Sequence, residues 1–220
     1  MNASMFAVLF LALFLLLDHG LGVSARKWDT ISSLWPNAVV PYKVSKSVKN
    51  VDSKGILRQT MDEIEAVSCI KFVPRKDERD FLDISAGFDC STVTGHRGQA
   101  QVLVLQIPFC LERRKLLRQL LHTLGLPNEQ LRPDRDDHVK INWGNINPLD
   151  ATLFFTKLNT TDLPLSELPY DYNSILHADA NYRALKPTEP TIIPLEAGTT
   201  VGKATGLSAL DIAKLNVLYC

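Results

Sequence analysis

Apolar positions along the chain fall into three textures, and each predicts a different kind of element. The first is an unbroken run from Met5 to Leu17, with no charged side chain anywhere up to Leu17. It is too short to span a bilayer, for which about 20 apolar residues are needed, and Val23-Ser24-Ala25 supplies a small-residue cleavage pattern. Residues 1–25 are therefore predicted to be a signal peptide rather than a membrane anchor, with the mature chain beginning near Arg26 and no membrane contact after cleavage.

The second texture is helical. Ile56, Leu57, Met61, Ile64 and Val67 share one helix face within Asp52–Ser68, behind Asp52 as a cap. Leu116, Leu117, Leu120, Leu121 and Leu124 repeat that spacing, and Gly125 followed by Pro127 stops it. Ser208-Ala209-Leu210-Asp211 reads as a capping box, with Ile212, Leu215 and Leu218 behind it. The third texture is short β-branched or apolar runs between turn residues: Val39–Val44, Ile70–Val73, Phe81–Ser85 and Val102–Leu105. Pro41 suits the first of these only at an edge or a bulge.

The strands and the first two helices make an α+β lobe over residues 26–125. Beyond Gly125, eight of the twelve prolines (127, 133, 148, 164, 169, 187, 190 and 194) precede residue 195, so a lobe at 126–220 is predicted to be mostly irregular until its last helix. A mature chain of roughly 195 residues is enough for one domain with its own core. Zero formal charge and a pI of 7.0 point to no nucleic-acid or anionic-membrane partner. Four cysteines in an exported chain, Cys69, Cys90, Cys110 and Cys220, predict two disulfides, with three connectivities open. Asn159-Thr160-Thr161 is a glycosylation sequon, whereas Asn2-Ala3-Ser4 lies in the removed segment.

On the leucine helix, Arg118 and His122 lie four residues apart on another face. Zinc peptidases of the H-E-x-x-H-x-x-G-x-x-H type use that spacing, and this chain offers Arg118, Gln119, His122, Gly125 and Asn128 at the five places. The stretch resembles the metzincins and, among them, the astacin family. The family continuation E-H-x-R-x-D-R-D-x-Y-V is met by Glu129, Gln130, Arg132, Asp134, Arg135, Asp136 and Val139. Its S-I-M-H-Y turn appears as Ser174-Ile175-Leu176-His177-Ala178, and Leu34–Tyr42 resembles the opening of the mature family domain. The resemblance covers about residues 30–220.

What the resemblance implies is a two-lobed metzincin-like domain over 26–220: a twisted sheet with two helices beneath it, then an irregular lobe ending in a helix. It selects the disulfides Cys69 with Cys220 and Cys90 with Cys110. It places zinc ligands at Arg118, His122 and Asn128, the general base at Gln119, and at Ala178 a tyrosine that contacts metal and oxyanion. It gives Glu129 a contact with the buried amine of the mature chain, here Arg26, and leaves no room for the family propeptide. It also implies that the strand Gln99–Gln106, through Gln99, Gln101, Leu103 and Leu105, is an edge along which an extended peptide lies.

The chemistry at those places is altered. Arginine keeps its proton and has no lone pair for a metal, an amide oxygen at Asn128 is a poor substitute for imidazole, and His122 alone cannot hold zinc tightly. Gln119 cannot take a proton from water, and a lost oxyanion donor costs about 10²–10³ in rate. Leu176 for methionine is a packing swap. No cofactor is therefore expected, although the family uses zinc.

The expected function is that of a secreted pseudopeptidase that binds extracellular peptides or proteins or modulates active peptidases. The alternatives are a weak zinc metalloendopeptidase with substitute ligands, or a product without function. His122 reads either as a hydrogen-bonded core histidine or as an improvised site with His177, His138 or Glu129. The Arg118 head group is expected where the zinc charge would lie, against acceptors that once faced metal. Arg113-Arg114-Lys115 reads as a solvated face, and Asp134, Arg135 and Asp136 as a local ion-pair network.

Overall fold

The computed structural model describes residues 34–158 and 167–220. The predicted signal peptide, Arg26 and the Asn159 sequon lie outside the described residues. A five-stranded sheet is built from β1 (Val39–Val44), β2 (Lys71–Pro74), β3 (Leu82–Ala86), β4 (Cys90–Thr92) and β5 (Gln101–Leu105) in the order β2-β1-β3-β5-β4. All neighbours are parallel except β4 and β5. Two helices, α2 (Ile56–Val67) and α3 (Arg113–Thr123), pack on each other and on this sheet. Their apolar stripes meet strand residues Val40, Ile84, Leu103 and Leu105 in one core, where Met61, Ile64, Leu116, Leu117, Leu120 and Leu121 are all buried.

The sequence periods place most of these elements to within two residues, and the departures have local causes. Asp52 does cap α2, accepting from Ile56 N (2.7 Å) and Leu57 N (3.1 Å). It acts from outside, because a short α1 (Lys46–Val51) and a left-handed Gly55 intervene before the helix begins. Pro41 lies in a strand with neighbours on both sides, against expectation. The pairing of β1 with β3 begins only at Tyr42, so at Pro41 the strand is paired with β2 alone. The edge assigned to Gln99–Gln106 is corrected. Gln99 precedes the strand, while Gln101, Leu103 and Leu105 are buried on a β5 that lies between β3 and β4. The missed β4 is the free edge on that side, its three residues too short to give an alternating pattern.

The second lobe has its own smaller core of Val139, Ile141, Ile146, Phe155, Tyr170, Ala178, Ile192 and Val201. It holds a two-stranded antiparallel ribbon, β6 (Val139–Ile141) with β7 (Ile192–Pro194), and an unpredicted α4 (Pro148–Phe155) capped by Asn147. The final α5 (Ala209–Tyr219) starts with the predicted capping box of Ser208 and Asp211. It delivers Cys220 to Cys69, and Cys90 joins Cys110, as the resemblance implied.

α5 is also tied to the start of the second lobe through charge. Lys214 Nζ lies 2.5 Å from Glu129 Oε2, and both side chains are almost wholly buried. Glu129 Oε1 accepts from Asp171 N (2.9 Å) and faces Arg132 Nη1 at 3.4 Å. Among the described residues the ammonium at Glu129 is that of Lys214; the expected contact with Arg26 lies outside them. Removing one partner of such a pair strands a buried charge. Lys214→Met is expected to lower unfolding free energy in urea by on the order of 3 kcal/mol, with Glu129→Gln added to it recovering part of the loss. A Lys214→Met chain as stable as the parent would show the pair to be dispensable.

Candidate active site

The leucine stripe of α3 decides what faces the cleft. With Leu116, Leu117, Leu120 and Leu121 committed to the core, Arg118, Gln119 and His122 come to lie on the remaining, half-buried surface. The helix ends in a reversal in which Leu126 N donates to Leu121 O (3.0 Å) and Gly125 N to His122 O (2.9 Å). Gly125 has φ +96° there, a region that disfavours side chains, and the turn brings Asn128 back beside the helix.

Arg118 occupies the centre of the resulting site. Its Nη1 donates to the carbonyls of Ile175 (2.6 Å) and His177 (3.1 Å), and its Nη2 donates to Asn128 Oδ1 (3.0 Å). The head group therefore links α3, the segment after Gly125 and the 174–178 turn; of its acceptors Asn128 stands at one of the three ligand places, and the other two are backbone carbonyls. Desolvation holds its basicity below the ordinary arginine value, and the charge of Arg114 adds to this. The guanidinium stays protonated nonetheless, because arginine does so in any protein setting.

The 174–178 turn is fixed from behind. Asp211 accepts from Ser174 Oγ (2.6 Å) and Ile175 N (2.9 Å), and Gln130 Oε1 accepts from Ala178 N (3.1 Å). His177 is fully buried, with Tyr170 OH 2.8 Å from Nε2 and the Ala178 carbonyl 2.8 Å from Nδ1. Beside this turn opens a cavity of about 320 Å³ whose lining includes Arg114, Asp179, Asn181, Gly202, Lys203 and Thr205. A Cβ on Gly202 would lie 2.2 Å from the Asp179 Cα, so only glycine lets this loop approach so closely. Its carbonyl accepts from Arg114 Nη2 at 2.5 Å.

The run Arg113-Arg114-Lys115 keeps Arg113 exposed, as a solvated face would, but its side chains are also engaged. Arg113 pairs with Glu63 of α2 (2.6 Å) and donates to the Thr205 carbonyl, while Lys115 pairs with Glu112 (3.0 Å) and lies over the Phe109 ring. A charge run can latch helices to loops, and only the neighbours reveal it. The expected network at Asp134, Arg135 and Asp136 is present. Arg132 pairs with Asp134 (2.7 Å), and Asp136 with Arg135 (3.1 Å) and Lys157 (2.7 Å).

The residues at the three zinc positions converge, yet they do not fit zinc. Arg118 brings a permanent cation, and the Asn128 oxygen is already turned to that cation. At His122 the Leu126 carbonyl lies 2.8 Å from Nδ1; a carbonyl only accepts, so Nδ1 carries the hydrogen and Nε2 keeps its lone pair. That one lone pair is the whole of the donor set. The residues proposed for an improvised site have their side chains engaged by other groups. His177 is held by Tyr170, His138 stacks on the Tyr170 ring at 4.5 Å, and Glu129 is held by Lys214. Among the described residues no three His, Cys, Asp or Glu side chains are grouped to hold a metal ion. Gln119 lies half-buried on α3 where the base is needed, and Ala178, 3 % exposed, brings no phenol.

Burial shifts both histidines down to about 4, aided at each by the charge of Arg118. In an unfolded chain they titrate near 6.5. Between these values the unfolded state binds more protons than the folded one, so stability falls as pH drops from 6.5 toward 4 and these two groups add nothing below that. The loss is on the order of 3 kcal/mol per histidine. Thermal midpoints measured from pH 7 to 4 are expected to fall accordingly, with a shallower slope in His122→Gln. An unchanged slope in that variant would contradict the assignment.

Comparison with known proteins agrees with this geometry. Residues 27–220 match the model of the family described as Astacin (Peptidase family M12A). The chain is 38 % identical over 194 residues to the low choriolytic enzyme of Oryzias latipes, covering 86 % of this chain and 69 % of that one. It is 36 % identical over 181 residues to the astacin-like metalloendopeptidase of Gallus gallus, covering 82 % of this chain but only 43 % of the relative. The solved structure of high choriolytic enzyme 1, a hatching enzyme zinc-protease from Oryzias latipes, superposes with a TM-score of 0.76 at 31 % identity, over 85 % of this chain and 92 % of that one. With its α+β fold, its two disulfides and a match over nearly all of the described residues, this chain belongs to the astacin family.

Proposed function

We propose that this astacin-family chain is a secreted pseudopeptidase, which holds extended peptides or proteins in its cleft and does not cut them. The observation that carries the reading is the Arg118 guanidinium, hydrogen-bonded to Asn128 and to the 174–178 turn at the place where the family binds its metal. A hydrolytic zinc needs three ligands and an open position for water, and here one ligand position is a cation and another is the amide bound to it. Gln119 removes the base as well. Two independent losses in one helix turn leave no step of the family reaction intact.

Binding does not need the metal. β4 ends the sheet beside the cleft, and Cys90–Thr92 is paired with β5 on one side only, so a peptide backbone has a short edge to add to. The Cys90–Cys110 disulfide fixes that edge, and two disulfides suit an oxidising, extracellular setting.

The native chain with zinc supplied is expected to show no chelator-sensitive cleavage of quenched-fluorescent peptides. Arg118→His, Gln119→Glu and Asn128→His combined are expected to take up stoichiometric zinc by elemental analysis, since the α3 turn already converges the three positions. Chelator-sensitive turnover by the unaltered chain would overturn the proposal.

A further inference from the structure

The guanidinium that stands at the family's metal position spends its hydrogen bonds on uncharged groups. All three acceptors of Arg118 are neutral: the carbonyls of Ile175 and His177 and the amide oxygen of Asn128. An arginine carries five N–H donors, so three bonds leave the Nε–H and one Nη2 hydrogen without a protein acceptor. No carboxylate of the described residues lies within 4 Å of it, although it is half-buried. The nearby acids, Asp179 and Asp211, favour its charge from a distance without accepting from it. Asp211 is bonded to Ser174 and Ile175, and Asp179 accepts from Asn181 N.

One helical turn earlier, Arg114 is in the same condition. It donates through Nη2 to a neutral carbonyl, that of Gly202, and its Nε is buried with no acceptor among the described residues. Two guanidiniums on successive turns of α3 thus face only neutral acceptors, and they repel one another. A planar fork with unspent donors is matched in shape by a carboxylate.

We propose that Arg118, supported by Arg114, is a receptor for one carboxylate of a bound peptide, either an Asp or Glu side chain or a free C-terminus. This rests on the peptide-binding reading above and gives it a chemical selectivity. The family's metal position becomes the anchor point: the carboxylate accepts from the two unspent Arg118 donors.

The test uses the full secreted chain, immobilised, with four pools of synthetic octapeptides. A fixed central position is Asp or Glu in two pools and Asn or Gln in the others, and each kind is made as free acid and as C-terminal amide. Retention is expected for pools that carry a carboxylate at the centre or the end, and the pattern tells which source is used. In the best-retained peptide, changing that carboxylate to its amide should weaken binding at least tenfold by fluorescence anisotropy. Arg118→Lys, which keeps the charge and loses the fork, should weaken the same peptide by a similar factor, with circular dichroism confirming that it is folded.

Equal retention of acid and amide peptides would overturn the carboxylate receptor while leaving a peptide-binding cleft in place. No retention from any pool would remove both readings. The amide substitution in the peptide leaves the protein untouched, so a poorly folding Arg118 variant does not blunt the test.

Discussion

The Arg118 side chain crosses the junction of the two lobes, and its hydrogen bonds hold three separate stretches of chain in one place. Those stretches are the helix α3, the residues after its glycine turn, and the loop that ends at Ala178. In a zinc member of the family the same stretches converge on a metal. A guanidinium fills that position with hydrogen-bond donors where a metal offers empty orbitals, so the groups around it must be acceptors. Asn128 satisfies this through its amide oxygen, and the loop satisfies it through backbone carbonyls. The substitutions at 118 and 128 therefore form one consistent set: each makes sense in the presence of the other.

Around this centre the fold supplies a second layer of ties that does not depend on it. Lys214 reaches from the last helix to Glu129, Asp211 holds the 174–178 turn, and Cys220 fastens the end of the same helix to Cys69. The C-terminal helix thus serves both lobes: its apolar side joins the main core through Leu215, and its polar residues tie down the loops of the site. A site whose chemistry has changed can keep its shape when its frame is anchored this way. That persistence of shape is what makes both ligand restoration and peptide binding physically reasonable.

The electrostatics follow from the same exchange. Burial, aided by the charge of Arg118, keeps the imidazoles of His122 and His177 neutral, and that charge also sits one turn from Arg114. The cleft therefore carries positive charge without a titratable proton to move. On the function proposed above, such a cleft holds an anion and does no general acid–base work, which needs a group that gains and loses a proton near neutral pH.

Much of this was legible without coordinates. The leucine spacing from Leu116 to Leu124, the stop at Gly125 and the capping box at Ser208 are local signals, each set by neighbours within a turn or two, and they specify the helices directly. The identities at 118, 119, 122 and 128 are likewise enough to judge the metal chemistry, because the absence of a lone pair belongs to the side chain and not to its setting. What spacing could not convey were relations between distant segments. The three-residue β4 that takes the sheet edge from Gln101–Leu105, the latching of Arg113 and Arg114 to the 202–206 loop, and Lys214 as the partner of Glu129 all join residues far apart in sequence. Pairing energies of that kind depend on burial and approach distance, and those exist only once the chain has packed.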